Sequence, residues 1–183
     1  MSEIKPGFVK VNVVGVRVEM PTNQPIILLQ DQAGDRYLPI WVGAVEATAI
    51  AFAQQGIKPP RPLTHDLFTD VLNTLQANLQ QVRITSLKDG VFYAEIEFGG
   101  GQVLSSRPSD AIALAIRFDA PVFTYENIMK KASYSDDNNV NEPQAEDKNW
   151  IKNFIEEQEP KEDVLKNLTA TSSKDLNAML AKL

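Results

Sequence analysis

The 183-residue chain contains no cysteine and a single histidine. Without thiols there is no disulfide, no thiolate metal site and no cysteine nucleophile, and the absence agrees with a reducing compartment. Long apolar runs are missing too. No stretch approaches the roughly 20 residues needed to span a bilayer, and the opening MSEIKPGF lacks the charged-then-apolar layout of a signal peptide. The expectation is a cytoplasmic protein with no membrane partner. Positive charge is scarce: 18 Lys and Arg stand against 24 Asp and Glu, a net of −6. That balance argues against a strongly basic nucleic-acid surface. The phosphate-cradling patterns GxxxxGKS/T and GxGxxG are absent, and GGG at 99–101 reads as a hairpin turn.

The acid is unevenly spread. Residues 1–130 hold 11 basic and 13 acidic side chains, and residues 131–183 hold 7 and 11. The body is therefore close to neutral, with room for a local basic groove. Its hydrophobic content of 43% is enough for a core, and the length suits one domain with an appendage. We read a domain over 1–132, an acidic linker over 133–148 and a helical tail over 149–183. The linker is too poor in apolar residues to order itself. The tail sets Trp150, Ile151, Phe154 and Ile155 at helical spacing.

Within the body, valine-rich alternation over 8–20 predicts a long strand with Gly15 as a bulge. Strands follow over 25–31 and 36–42, and Pro39 marks the latter as an edge or bulged strand. The Ala-rich 43–56 predicts a buried helix that stops at Gly56. IKPPRPL is stiffened by its prolines and leads into an amphipathic helix over 64–76. There Thr64 is the expected N-cap, and Leu67, Phe68, Val71, Leu72 and Leu75 share a face. Strands over 79–87, 91–98 and 102–106 precede a helix over 107–118, a short strand in APVFTY and a short helix in ENIMKKA. Two strand-to-helix steps look alike: EATAIA from Glu46 aligns with DAIALA from Asp110. This suggests an internal duplication that sets Glu46 and Asp110 in related places, each in a helix first turn where a carboxylate is favoured.

The chemistry gathers at helix starts. His65, with a reference pKa of about 6.5, can move protons near neutrality or ligate a metal; its plain alternative is a packing role in the first turn. Arg61 and Arg107 each precede a proline at a helix approach. They could bind phosphate with Thr64 and Ser109 beside free helix N–H groups, or each could pair with an acid such as Asp66 or Asp110. Glu46, Asp66 and Asp110 could converge on Mg²⁺ or Mn²⁺ next to His65, or each could cap its own helix. No dedicated metal spacing decides between these.

LPIWVGAVEATAIA, PPRPLTHDL, FYAEIEF and RPSDAIALAIRFDAPVF occur in this order. Together they resemble the bifunctional nuclease domain family over roughly residues 8–130, and NWIKNFIEE resembles the tails of some bacterial members. The resemblance implies an α+β fold, here a mixed, largely antiparallel sheet packed with Ala-rich helices. It also implies a homo-oligomeric habit, a dimer first, and the nuclease activity toward DNA and RNA attributed to plant members. The residues matching the family's polar positions are Glu46, Arg61, Thr64, His65, Asp66, Arg107, Ser109 and Asp110. Two functions are in view. One is a metal-assisted nuclease with His65, Asp66, Glu46 and Asp110 as catalytic groups. The other is a non-catalytic oligomeric protein that uses the same polar set to bind a ligand or partner.

Overall fold

The computed structural model describes residues 7–135. The expected tail, and the expected linker from residue 136 onward, lie outside the described residues. The alternating valines form strand β1 (Phe8–Glu19), and its pairing register shifts between Val13 and Gly15, the expected bulge. It pairs antiparallel with β2 (Gln24–Asp31), which pairs with β3 (Arg36–Trp41). Helix α1 (Ala44–Gln55) follows and ends at Gly56 in the left-handed conformation, φ 66°. Helix α2 (Thr64–Thr74) comes after the proline segment. A second antiparallel set, β4 (Leu79–Lys88), β5 (Val91–Phe98) and β6 (Val103–Ser106), leads into α3 (Pro108–Arg117). Strand β7 (Val122–Tyr125), helix α4 (Glu126–Ala132) and the two-residue β8 (Tyr134–Ser135) complete the fold.

These strands make one sheet in the order β6-β5-β4-β7-β1-β2-β3-β8. Only β4 and β7 run parallel; every other pairing is antiparallel. The fold is α+β, as expected. The repeat is larger than the strand–helix step suggested: β1-β2-β3-α1 and β4-β5-β6-α3 share one topology, and β7 is inserted between them. Pro39 lies on β3, whose outer side, among the described residues, pairs only with β8 at Arg36 and Tyr37, so its missing N–H costs little. Residues Tyr134 and Ser135, just past the expected boundary at residue 132, pair with β3 as β8.

The core lies on one sheet face. Ile27, Leu29, Leu38, Ile40, Val82, Ile84, Ile96 and Val122 form a single buried cluster with Ile50 of α1, Leu72 of α2, Ile112 of α3 and Met129 of α4. Small residues let α1 and α3 sit close: Ala47, Ala49 and Ala51 on one, and Ala111, Ala113 and Ala115 on the other, are all buried. Helix α2 departs from expectation. Of its apolar face only Leu72 is buried, while Leu67 (56%), Phe68 (45%), Val71 (43%) and Leu75 (71%) keep large exposed fractions.

Away from the helix starts, the buried Asp31 anchors the β2–β3 turn. Its carboxylate accepts N–H groups from Gly34, Asp35 and Arg36 and the Arg36 Nε–H at 2.8 Å. Arg36 also holds Glu126 at 2.9 Å, tying α4 to the hairpin. Burial opposes the Asp31 charge, but the hydrogen bonds from Arg36 outweigh it and leave the carboxyl below its ordinary range.

Candidate active site

Helices α1, α2 and α3 each carry an acid in the first turn: Glu46, Asp66 and Asp110. Such an acid can answer its own helix's free N–H groups, and one of the three does. Asp66 Oδ2 accepts the Leu63 N–H at 2.9 Å. This corrects the expected cap: the N-cap of α2 is Leu63, and Thr64 is the first helical residue. The proline-stiffened lead-in ends one residue earlier than the residue types suggest, and Asp66 takes the capping duty from a threonine hydroxyl.

The other two acids meet across helices through an arginine. Arg107 is the N-cap of α3 and donates to both oxygens of Asp110, Nε to Oδ2 at 2.7 Å and Nη2 to Oδ1 at 3.0 Å. The same Nη2 lies 2.9 Å from Glu46 Oε1. Asp110 Oδ1 in turn is 3.1 Å from His65 Nε2 on α2. Four expected residues from three helices, Glu46, Arg107, Asp110 and His65, therefore form one connected chain. The expectation that the polar groups gather around the lone imidazole is met for Asp110 directly and for Glu46 through Arg107.

Burial disfavours the Asp110 charge, but hydrogen bonds from Arg107 and then His65 more than compensate, so its carboxyl sits below the ordinary carboxylate range. Arg107 is correspondingly held more firmly protonated by Asp110 and Glu46. An ionised Asp110 accepts Nε2–H from His65, which fixes the ring and leaves Nδ1 as its open nitrogen. Among the described residues Nδ1 makes no hydrogen bond.

Asp66 belongs to a different contact. Its Oδ1 receives Arg117 Nε at 2.7 Å, and Arg117 also donates to the carbonyls of Ala113 and Ala49. Desolvation raises the Asp66 pKa, yet the Arg117 hydrogen bond and the Leu63 N–H bring it below the ordinary value. With both oxygens engaged, Asp66 does not join Glu46 and Asp110. No three His, Asp or Glu side chains among the described residues come close enough together to hold a metal ion. The three expected acids, Glu46, Asp66 and Asp110, are therefore not gathered into one group among the described residues.

The expected phosphate set is also divided. Arg107 is paired with two acids, and Ser109 is buried. Thr64 and Arg61 are exposed, and Arg61 makes no ion pair among the described residues. A cavity of about 270 Å³ opens beside His65 and Asp110, with Phe68, Phe98, Leu104 and Leu114 in its walls.

Three contributors escaped the sequence reading. Arg117, with a side chain 8% exposed, binds α1, α2 and α3 together. Gly43, the N-cap of α1, gives the Glu46 carboxylate its room, since a Cβ there would meet Glu46 Oε2. Phe68 was assigned to the core face and instead lines the cavity.

No helix among the described residues is long and apolar enough to cross a membrane. The bifunctional nuclease domain matches residues 27–137, a stretch that includes all of Glu46, His65, Arg107 and Asp110. Two uncharacterized proteins of Mycobacterium tuberculosis, from strains CDC 1551 / Oshkosh and ATCC 25618 / H37Rv, are similar to the chain. Each is 50% identical over 123 residues, which is 67% of this chain and 75% of the relative. With the family domain matching residues 27–137 and every residue of the His65 network, the chain belongs to the bifunctional nuclease domain family.

Proposed function

We propose that the chain hydrolyses phosphodiester bonds of nucleic acid, DNA or RNA, with His65 as the proton-transfer group and Asp110 as the residue that orients it. The observation that carries this reading is the 3.1 Å contact between His65 Nε2 and Asp110 Oδ1, made between two helices at the edge of a cavity. A histidine held at one nitrogen by a fixed carboxylate presents the other for general base work, worth roughly 10²–10⁴-fold in rate. In the proposed step Nδ1 takes a proton from water, the water oxygen bonds to phosphorus, and the bond to the leaving oxygen breaks. That oxygen receives its proton from the imidazolium. Arg61, exposed on the lead-in to α2 and without an ion pair among the described residues, is a cation available to meet a phosphate. Glu46 acts at one remove, by holding Arg107 against Asp110. The family's name supports the same chemistry.

The test is cleavage of labelled single- and double-stranded DNA and RNA by the purified chain, with Mg²⁺, with Mn²⁺ and with a chelator. Cleavage lost in both His65→Ala and Asp110→Asn is the expected result. Cleavage unchanged in either variant overturns the assignment. The three metal conditions also settle whether an ion acts there, a role the resting positions of the acids do not support.

A second reading has its own observation. Arg107 gives its Nε and Nη2 to Asp110 and Glu46, as in a structural ion-pair network, which favours a non-catalytic ligand- or partner-binding protein. It predicts no turnover under any of the conditions above, and a thermal shift with an anion. Both readings take the chain to be a homo-oligomer, a dimer first. The uncovered Leu67, Val71 and Leu75 on α2 support this, and light scattering of the full chain tests it.

A further inference from the structure

The cavity next to His65 is chemically unlike a phosphate site. Its floor comes from the core: Ile96, Phe98 and Leu114 line it and are almost fully buried. Its outer walls are Phe68 and Leu104, both about half exposed. Polar groups stand along one rim, where Ser105 and Ser106 of β6 contribute to the lining. Strand β6 is the last strand of the sheet, and among the described residues it pairs on one side only, with β5, so its outer backbone donors and acceptors face no described strand. A mostly apolar cavity with aromatic side chains in its lining and a strand edge that can hydrogen-bond matches a heteroaromatic ring with polar substituents.

Size narrows the choice. Pockets for drug-sized molecules run from about 300 to 1,000 Å³, and this cavity of about 270 Å³ falls just below them. A single base or a ring system of similar size fits within that volume. His65 and Asp110 line the same cavity, so a ring seated there brings its attached phosphodiester to the imidazole. Resting on the phosphodiesterase reading above, we propose that this cavity takes one unstacked nucleobase of the substrate, with Phe68 against its face, and that the site therefore acts on unpaired strands. A base within a duplex would first have to be extruded at an unstacking cost, whereas an unpaired base stacks on an exposed aromatic without regard to sequence.

The test separates base capture from cleavage by using a strand that cannot be cut. A phosphorothioate single strand of about 15 nucleotides is titrated with the full chain in chelator, by fluorescence anisotropy at fixed salt. The comparison strands are the same backbone with abasic sites and the blunt duplex. The expected result is binding of the base-bearing strand, weakened roughly tenfold or more for the abasic strand and the duplex. Phe68→Ala should bring the base-bearing strand down to the abasic level, and Phe68→Tyr should restore it. Equal affinity for base-bearing and abasic strands overturns the proposal, as does absence of binding. So does a Phe68→Ala chain that binds like the wild type but runs at half its mass in light scattering, because the cavity then serves a second copy. Base-dependent capture without any cleavage in the preceding assay refutes the nuclease reading and leaves the base cavity standing.

Discussion

The two β-β-β-α halves share a frame and differ in the side chains set on it. Both end an antiparallel set of strands and enter a buried helix through an extended N-cap, Gly43 at φ −73°, ψ 155° and Arg107 at φ −69°, ψ 145°. Three residues later each has its acid, Glu46 or Asp110. At the cap itself the halves diverge. The first has no side chain, and the second has a guanidinium that holds both acids. The path of the chain beyond each helix differs as well. After α1 the proline segment builds α2, which carries His65 to the other half's acid, whereas after α3 the chain turns into β7 between the halves. The lesson is that repetition supplies two equivalent carboxylates, and the unrepeated residues decide which one meets the imidazole.

The sharpest way to break this comparison is to neutralise the two acids in turn. Asp110→Asn and His65→Ala should each lower the cleavage rate at least roughly a hundredfold. Glu46→Gln should cost far less, since Glu46 reaches His65 only through Arg107. Initial rates on a labelled strand measure this, and equal losses for Glu46 and Asp110 would make the halves functionally equivalent.

Next in size is the clamp that joins them. Arg117→Met removes charged hydrogen bonds to Asp66 and to the Ala49 and Ala113 carbonyls, and should destabilise the chain by about 2–3 kcal/mol in urea titration. A midpoint unchanged from the wild type would mean that α2 docks without Arg117. Acid gives a smaller effect. Asp66 and Asp110 have folded pKa values below the unfolded value, so the stability they contribute is complete above about pH 4 and is lost as pH falls through the folded values. Thermal melts should therefore fall more steeply below about pH 4 in the wild type than in Asp66→Asn.

The remaining two effects are small. Gly43→Ala asks only the far end of Glu46 to move, and should cost about 1 kcal/mol or less while breaking its pair with Arg107. A crystal structure of the variant with that pair intact would show that Gly43 is not the source of Glu46's room. Thr64→Ala should leave stability within about 0.5 kcal/mol, because Leu63 is the cap. A clear drop in melting temperature would restore the threonine to that role.

Much of the fold was legible because its signals are local. The valine alternation, the bulge at Gly15, the stop at Gly56 and the GGG turn, where Gly100 and Gly101 have positive φ, depend on residues a few positions apart. The acids in the first turns were legible for the same reason. The direction each acid points was not. Asp66 adjoins His65 in the chain yet binds Arg117, 51 positions away, while Asp110 reaches His65 across 45. The apolar face of α2 reads as core by its period, but period reports only that residues share a face. How much of that face is covered depends on the elements that the tertiary fold sets against it.

The sequence by itself determined the elements, their order, the repeated strand-to-helix step and the set of polar residues at the helix starts, because short-range sterics and periodicity write these locally. Only the tertiary structure decided that Arg107 bridges two acids, that Asp110 rather than Asp66 holds the histidine, and that Phe68 opens a cavity beside it. Charged and polar side chains choose partners by distance and desolvation in space, and those distances exist only once the sheet and helices have packed.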